Sequence, residues 1–278
     1  MTNPTVAIIT ATIGRAELER AIQSVVAQTY PCTHYVFVDG EQHAAAARPI
    51  IERYPHVKAV YLPVNTGANS WYNSHINAAA PFIAQEDIIC FLDDDNWYRE
   101  DHVASVVETF AQSQADYVYT LRNFYNAQSQ FMCRDDMESL GEWECKLANQ
   151  RIDIPLTVLN ETQFVKTPEV LQTHMIDVNC FAMTRKTAQE IASEWCIVGL
   201  GNDGKVFKKL RELNKKYVGT GRYTVNYFYD NAVRMKGLYE VISQWLPVDE
   251  VNKLIEDYVI RTQEAHHQLY GGRPWAKE

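Results

Sequence analysis

The first 110 residues alternate between short apolar segments and longer amphipathic segments, and this alternation constrains the fold more than any other feature. The short segments are rich in β-branched residues, as buried strands are, and they lie at 6–10, 35–39, 57–63 and 87–93. The segments with apolar residues at helical spacing lie at 15–28, 70–80 and 101–110. Asp101 is expected to cap the last of these helices. The pattern predicts an α/β fold with a mostly parallel sheet flanked by helices.

The pattern changes after Tyr117. We expect further strands at 117–121, 131–134, 180–184 and 223–229, and helices at 186–195 and 203–216. Residues 134–179 are polar and aromatic with weak periodicity, which is typical of a long functional or irregular segment. Two final helices are expected at 232–245 and 249–269, on either side of Pro247. The sequence leaves open whether these helices pack onto the domain or build a homo-oligomer.

Charge and cysteine content exclude several classes of protein. The net charge of −9 argues against a nucleic-acid partner held by general basicity. The six cysteines have neither the spacing of a zinc site nor the density of a disulfide scaffold, so reduced thiols and a cytoplasmic location are expected. No basic segment precedes the first apolar run and no apolar stretch could span a bilayer, so neither a signal peptide nor a membrane span is expected.

Polar residues follow each of the first four predicted strands. They are Thr10, Thr12, Arg15, Asp39, Asn65, Gly67 and the run Asp93, Asp94 and Asp95. The carboxyl ends of parallel strands lie along one edge of an open sheet, where ligands bind in the crevice. Any one of these residues could be a turn or cap residue, but their coincidence at four strand ends predicts a binding site.

The three adjacent aspartates repel one another unless a cation lies among them or one of them carries a proton. Their hard oxygen atoms suit Mg²⁺ or Mn²⁺, ions that commonly bridge to the phosphate groups of a substrate. Neither the glycine-rich motif of nicotinamide sites nor that of P-loops follows the first strand. The residues therefore predict a metal-bridged nucleotide held by strand ends.

Four segments within residues 5–110 carry a family resemblance. They read AIITATIGRAELERAIQSVVAQTY, VFVDG, NTGANSWYNSHINAAA and FLDDDNWY. They resemble a family 2 glycosyltransferase of the GT-A fold, and the last segment contains the D-x-D motif of that family. The resemblance implies a Rossmann-like sheet, a nucleoside-diphosphate sugar with UDP as the expected nucleotide, and Mn²⁺ or Mg²⁺ as cofactor. It also implies inverting transfer to a hydroxyl of a glycan or another acceptor compound.

For the first half of the chain, the resemblance implies a nucleotide lying across the strand ends. The implied base pocket is lined by Thr10, Thr12 and Arg15. By the same resemblance Asp39 bonds to the base or the ribose, and Asn65 and Gly67 are counted with the donor-binding residues. For Asp39 the structural alternative is a turn aspartate that precedes a glycine.

The diphosphate end of the implied donor site is less complete. Asn73 matches the asparagine of an alanine-arginine-asparagine stretch of the family, but Tyr72 stands in place of the arginine. Within the aspartate run, the implied roles are contact with the ribose side for Asp93, metal binding for Asp95 and either role for Asp94. The structural alternative for the run is a strand end followed by a helix N-cap.

The second half of the chain matches the family less closely. The family has a carboxylate at the start of a helix after the acceptor region, and GLGNDGKVF offers Asp203 there. Asp203 is therefore the predicted catalytic base, with a helix N-cap as the alternative. Asp177 in IDVNCFAMTR is implied near the acceptor, with a structural role equally open. Asp230, and no histidine, follows the last strand, so the implied metal relies on Asp95, the diphosphate and water.

The resemblance divides the chain into three parts. Residues 1–115 form the nucleotide-sugar-binding half and residues 116–230 the acceptor-binding and catalytic half of one GT-A domain, while 231–278 form a C-terminal helical extension. Two other functions stay open. A nucleotidyltransferase would normally have a glycine- and lysine-rich loop after the first strand, and ATIGRAE offers little of it. A non-enzymatic or degenerate nucleotide-sugar-binding protein would bind donor and metal without turnover.

Overall fold

One mixed sheet organises the part of the chain that the computed structural model describes, which is residues 3–151, 153–158, 161–166 and 174–277. Two strands in this part, β8 and β9, pair only with each other, and the other nine belong to the main sheet. The strands are β1 (Val6–Thr12), β2 (Thr33–Val38), β3 (Lys58–Tyr61), β4 (Ile88–Phe91), β5 (Trp97–Tyr98), β6 (Tyr117–Tyr125), β7 (Phe131–Arg134), β8 (Asp153–Val158), β9 (Glu161–Lys166), β10 (Phe181–Thr184) and β11 (Tyr217–Phe228).

The main sheet has the strand order β3-β2-β1-β4-β10-β6-β11-β5, and β7 pairs with β6. The first four strands in this order are parallel, as are β6 and β11. β10 runs antiparallel to both of its neighbours, and β5 runs antiparallel to β11. The expectation of an α/β fold with a mostly parallel sheet is confirmed.

Helices flank this sheet and connect its strands. The helices are α1 (Leu18–Val26), α2 (Glu41–Ile51), α3 (Ser74–Ile83), α4 (His102–Ala111), α5 (Arg185–Glu190), α6 (Asn202–Glu212), α7 (Asn231–Arg234), α8 (Lys236–Ile242) and α9 (Val248–Tyr270). None of the helices in the described ranges is both long enough and apolar enough to cross a membrane. The boundary predicted after residue 115 falls between α4 and β6, and the division into three parts stays a prediction.

The strand β2 shows why polar and apolar residues do not alternate along the predicted strands. Val36 and Val38 pack in a hydrophobic cluster with residues of α1 and α2. Tyr35 and Phe37 belong instead to the main core cluster. Because successive residues of a strand point to opposite faces of the sheet, both faces of β2 are covered by apolar side chains.

Two helix starts differ from the expectations. The helix expected over 70–80 begins only at Ser74, because residues 68–73 form a series of turns. Asp101 does precede α4, but its side chain makes no capping hydrogen bond to the helix. Its Oδ1 instead accepts a hydrogen bond of 3.2 Å from Arg99 Nε. The expectation that Asp101 caps this helix was therefore wrong.

Later elements are also divided differently from the expectations. The helix expected over 186–195 ends as α5 and continues as a single 3₁₀ turn, Ala192–Trp195. The helix expected over 232–245 is split into α7 and α8 at Met235. The weak periodicity of 134–179 predicted no regular structure, but β8 and β9 of this stretch pair antiparallel to each other. Residues 152, 159–160 and 167–173 of that stretch lie outside the described residues.

The C-terminal helices pack onto the domain. Val251, Ile255 and Val259 of α9 form a hydrophobic cluster with Phe124 of β6 and Met132 of β7. The apolar residues of α9 recur at helical spacing, so one face of the helix covers the sheet. The helices therefore pack onto the domain, and the homo-oligomer stays a prediction.

The segment after α9 returns to the sheet. The Trp275 side chain enters the main core cluster, and its Nε1 donates a hydrogen bond of 2.8 Å to the hydroxyl of Tyr223 on β11. The backbone N–H of Lys277 donates to the carbonyl of Gly221, also at 2.8 Å. Residues distant in sequence therefore complete the packing around β11.

Trp195 offers a test of the core packing. It is fully buried, and its ring centroid lies 5.2 Å from that of Phe91 and 6.1 Å from that of Phe181. The substitution Trp195→Ala should lower the free energy of unfolding by about 3–5 kcal/mol, because it leaves a large cavity. Trp245 is 80% exposed, so Trp245→Ala should change this free energy by less than about 0.5 kcal/mol. Urea denaturation measures both, and equal losses would contradict the described packing.

Candidate active site

The ends of the central strands and the start of α6 enclose a cavity of about 590 Å³. Most of the residues predicted from sequence line it. They are Thr12, Arg15, Asp39, Asn65, Gly67, Asn73, Asp93, Asp94, Asp95, Asp177 and Asp203. The structure thus brings together, at one edge of the sheet, residues from both halves of the chain.

Thr10 is the exception among the predicted site residues. Its side chain is fully buried, and its Oγ1 lies 2.9 Å from Nε2 of His34 on the neighbouring strand. Burial lowers the pKa of His34 to about 3, so the imidazole is neutral at physiological pH. Thr12, two residues further along the same face of β1, reaches the cavity. The structure therefore places Thr10 beneath the cavity rather than in a base pocket.

Asp39 holds the loop that follows β3. Its Oδ1 accepts hydrogen bonds from the backbone N–H of Thr66, at 2.7 Å, and from the Thr66 hydroxyl, at 2.8 Å. Its Oδ2 accepts from the N–H of Gly67 at 2.8 Å. A Cβ atom at Gly67 would lie 2.2 Å from the carbonyl oxygen of Tyr72, so only glycine fits there. The turn interpretation of Asp39 has direct support, and its contact with a nucleotide stays a prediction.

A turn with unusual backbone angles brings Tyr72 and Asn73 to the cavity. Asn69, Ser70 and Tyr72 have φ angles of 55°, 66° and 50°, which residues other than glycine adopt rarely. Such conformations persist only where the surrounding contacts hold them, and they concentrate at functional sites. Here the turn ends with a hydrogen bond of 2.7 Å from Asn73 Nδ2 to Asp93 Oδ1. Tyr72 lines the cavity and remains 51% exposed.

Asp93 is held between two asparagine amides. Its Oδ1 accepts from Asn73, and its Oδ2 accepts from Asn179 Nδ2 at 2.9 Å. The backbone N–H of Asp93 in turn donates to Asn179 Oδ1 at 2.6 Å. The same Asn179 amide donates to Asp177 Oδ1 at 2.8 Å. Asn179 therefore fixes the aspartate run relative to Asp177.

Asp94 and Asp95 face Thr12 and Arg15. The Thr12 hydroxyl donates to Asp94 Oδ2 at 2.7 Å. Arg15 Nη1 lies 2.8 Å from Asp95 Oδ2 and 3.6 Å from Asp94 Oδ1. The N-cap part of the structural alternative is wrong, because the next helix, α4, begins only at His102. The contacts with Thr12 and Arg15 support a structural role for the run, and binding of a metal and a nucleotide stays a prediction.

Burial raises the pKa of all three aspartates. The pKa of Asp93 rises to about 8, with the charges of Asp95 and Asp177 adding to the effect of burial. The pKa of Asp94 rises to about 6, although the Thr12 hydroxyl opposes the increase. A bound cation would favour the charged forms and relieve this cost.

The described residues do not by themselves form a complete metal site. In the described ranges, no group of three or more His, Cys, Asp or Glu side chains is arranged to hold an ion. Both oxygens of Asp93 are occupied by amides, whereas Asp95 is bonded through Oδ2. This donor set fits Mg²⁺ or Mn²⁺ held by Asp95, because such ions are often bound through one or two carboxylates, substrate phosphates and water.

Asp203 lies in the first turn of α6. The N-cap position is occupied by Gly201 in the left-handed conformation, so the N-cap interpretation of Asp203 was wrong. Asp203 Oδ1 accepts a hydrogen bond of 2.8 Å from the N–H of Gly204. Burial, together with the charge of Asp177, raises the pKa of Asp203 to about 6. A carboxylate with this pKa can both take up and release a proton near neutral pH, as a general base must.

Asp177 is fixed on both sides of its carboxylate. Its Oδ2 accepts a short hydrogen bond from Nη1 of the buried Arg122. Its Oδ1 accepts from the backbone N–H of Asn179 at 2.9 Å, which caps the 3₁₀ helix Val178–Cys180. Asp177 nevertheless lines the cavity and acts electrostatically on Asp203. The structural role is supported by these contacts, and contact with an acceptor stays a prediction.

Several cavity residues were not found from sequence because they act across long distances in the chain. Asn96, Tyr227 and Arg234 line the cavity. Asn179 is fully buried and bridges two aspartates from outside the lining, and a polar residue just before the strand expected at 180–184 was the available signal. Arg234 follows β11 in a segment where nothing in the sequence pattern singles out an arginine.

Comparison with known proteins identifies the family. The family model described as Glycosyl transferase family 2 matches residues 6–191, more than half of the chain. The chain belongs to glycosyl transferase family 2. The resemblance drawn from the four sequence segments is therefore confirmed. This family 2 glycosyltransferase is also 33% identical over 104 residues to a Haemophilus influenzae protein described as uncharacterized, a match that spans 37% of this chain and 69% of that protein.

Solved structures show the same fold. The transferase resembles S. aureus TarS residues 1–349 in complex with UDP, with a TM-score of 0.54, 11% identity, and coverage of 92% of this chain and 70% of that chain. It resembles the same protein in complex with UDP-GlcNAc, with a TM-score of 0.56, 12% identity, and coverage of 95% and 74%. At these identities the likeness concerns the fold, which is that of a GT-A glycosyltransferase with helices on a curled sheet.

The raised pKa of Asp94 predicts how metal-free stability depends on pH. The pKa of Asp94 is about 6 in the folded protein, and the usual value for an unperturbed aspartate is 3.8. Between pH 3.8 and pH 6 the folded protein therefore binds more protons than the unfolded chain, and its free energy of unfolding falls as pH rises. Asp94→Asn removes this loss, so the variant should gain about 1–3 kcal/mol relative to wild type between pH 4 and pH 6.5.

The measurement is urea denaturation in chelator at several pH values. Asp257→Asn is the matched control, since Asp257 lies on α9 and pairs only with Arg261, at 3.3 Å, among the described residues. An Asp94→Asn difference that stays constant with pH would contradict the described burial of this carboxylate.

Proposed function

We propose that this protein is an inverting, metal-assisted glycosyltransferase that moves a sugar from a UDP-sugar to an acceptor hydroxyl. The observation that carries the proposal is the position of Asp203. It lines the cavity that contains the aspartate run, and it also lines a second cavity of about 660 Å³. A base in this position meets a donor from one side and an acceptor from the other.

The donor is proposed to occupy the first cavity. Thr12, Arg15 and Asp39 lie at the ends of or just after β1 and β2, where the nucleoside would bind, and Asp93 and Asp95 follow β4. The TarS structures of the same fold were determined with UDP and UDP-GlcNAc. Support for UDP as the nucleotide comes from this shared fold together with membership of the family.

The metal is proposed to be Mn²⁺ or Mg²⁺ on Asp95. When bound, such an ion supplies positive charge to the phosphate oxygens of the donor. Asp95 is suited to this role because burial raises its pKa, so a nearby cation makes its charged form more favourable. Asp93 keeps its place through the two asparagine amides and faces the ribose side.

The acceptor is proposed to enter the second cavity. Its wall includes Phe207, Lys208 and Arg211 of α6, and it shares Met175, Gly201 and Asp203 with the first cavity. Asp203 would take the proton of the acceptor hydroxyl as the oxygen attacks the anomeric carbon. The bond to the nucleotide breaks on the opposite face, and this single displacement inverts the configuration.

A cytoplasmic location is also proposed. All six cysteines, which lie within the described residues, are free thiols. Thiols persist in reducing compartments, whereas secreted proteins commonly oxidise them to disulfides. The nucleotide-sugar substrate of the proposal would be available there.

The role of Asp203 can be tested with Asp203→Asn. This substitution keeps the shape of the side chain but removes the base, so single-turnover transfer at saturating donor should fall about 100-fold or more. The affinity for UDP, measured by calorimetry, should stay within about twofold, since Asp203 is not assigned to the nucleotide. Asp249→Asn, at the same position in the first turn of α9, is the matched control.

The pH profile sharpens this test. Because the base must be unprotonated and its pKa is about 6, the wild-type transfer rate should fall as pH drops below that value. The Asp203→Asn variant should lack this dependence. Near-wild-type turnover by the variant would place the base elsewhere, with Asp177 as the next candidate. Tight UDP binding by a wild-type protein without any transfer would instead favour a degenerate, non-enzymatic binder.

The role of Asp95 predicts a metal dependence of UDP binding. Wild-type protein should bind UDP at least about tenfold more tightly with Mn²⁺ than with chelator, and Asp95→Asn should lose most of this difference. Asp101→Asn, a change of a partly exposed carboxylate outside the cavity, should retain it. If calorimetry finds that wild-type protein binds UDP with equal affinity with and without Mn²⁺, the assignment of a metal ion to Asp95 is contradicted.

A further inference from the structure

The charges that line the donor cavity are unbalanced. Among the described lining residues are six aspartates and two arginines, Arg15 and Arg234. A nucleoside diphosphate adds further negative charge to this space. Opposite charges close to the diphosphate are therefore needed, since partly buried charges are costly unless they are paired.

Arg15 already forms ion pairs with the aspartate run. Its Nη1 bonds to Asp95 Oδ2 at 2.8 Å and lies near Asp94. It stands just after β1, at the end of the cavity to which the nucleoside is assigned. Arg234 is the other cationic side chain in the described lining. It lies on α7, which follows β11, and three strands of the sheet separate β11 from β1.

Arg234 is anchored in a way that leaves donors for a ligand. Its Nη2 donates a short hydrogen bond to Glu138 Oε2. Its guanidinium lies over the ring of Tyr229, 5.5 Å from the ring centroid. A guanidinium carries five N–H donors in a fixed plane, so one contact with a carboxylate leaves others available. The side chain is 29% exposed, which is enough to meet a ligand and too little to move freely.

The anchor of Arg234 is itself fixed. Arg122 Nη2 donates to the same Glu138 oxygen at 2.6 Å, and the Arg122 side chain is fully buried. Arg122 also bonds to Asp135, at 2.7 Å, and to Asp177. Glu138 is 31% exposed, but it bonds to the fully buried Arg122, so it holds Arg234 in place before any ligand arrives.

The geometry points to Arg234 as a residue that binds the donor diphosphate and neutralises it as it leaves. As the acceptor oxygen bonds to the anomeric carbon, the electron pair of the broken carbon–oxygen bond stays on the distal phosphate, and Arg234 donates hydrogen bonds to its oxygens. The acceptor proton goes to Asp203. Arg234 lies outside residues 6–191, which the family model matches, so this contact comes from the C-terminal segment of this chain. The inference rests on the proposed function.

The test compares ligands that differ only in the diphosphate. UDP binding is measured by calorimetry and uridine binding by ligand-observed NMR, both with excess Mn²⁺. Arg234→Met should weaken UDP binding about 10- to 100-fold, the usual worth of a hydrogen bond to a charged group. Uridine binding should not change, and Arg234→Lys should restore part of the loss. Lys236→Met removes a positive charge two residues away, on a side chain that is 74% exposed, and should leave both affinities unchanged.

The outcomes separate this inference from the proposed function. If wild-type protein binds neither UDP nor uridine, the proposed function fails, and this inference with it. If wild type binds UDP and Arg234→Met binds it equally well, the inference alone is overturned. An equal loss for UDP and uridine would also overturn it, because Arg234 would then act through the shape of the site. Circular dichroism melting of each variant checks that the fold is kept.

Discussion

A single buried arginine holds the walls of the cavity in place. Arg122, on a central strand of the sheet, has no exposed side-chain surface and donates to Asp135, Glu138 and Asp177. Taking such ions out of water costs several kcal/mol each, and close hydrogen-bonded contacts are what offset the cost. Without the guanidinium, the three carboxylates would repel one another and draw in water. The placement of Asp177 and of Arg234 therefore depends on a residue that does not touch the cavity.

From Asp177 a continuous series of amide and carboxylate groups crosses the site. Asn179 donates to Asp177 and to Asp93, and Asn73 donates to the other oxygen of Asp93. The Asn73 side chain is 3.5 Å from that of Asn202, the residue before Asp203. Each carboxylate in this series accepts from an amide, and Asp177 accepts from the Arg122 guanidinium as well. Such preorganised polar groups need little rearrangement when charge develops during a reaction.

The sequence predicts features that are local and fails where partners are distant. The strand β2 is recognisable from a short run of apolar residues, and the run Asp93–Asp95 from three adjacent acidic residues. Arg122 gives no such signal, because its partners lie 13 to 55 positions away. Thr10 and Thr12 lie on the same face of β1, and their positions in the sequence do not distinguish them. Only Thr12 reaches the cavity, because the sequence does not show how far below the edge of the sheet a residue lies. The antiparallel β10 likewise depends on long-range pairing rather than on its own apolar pattern.

The return of the chain to the sheet after α9 has a consequence for biosynthesis. Trp275 fills part of the core beside β11, and Lys277 bonds to Gly221 on that strand. Ribosomes deliver residues from the N-terminus onward, so β1 to β4 can pair while Trp275 and Lys277 are still inside the exit tunnel. During that interval the apolar surface around β11 stays open to water and to chaperones. The core beside β11 can therefore be completed only after Trp275 has left the ribosome.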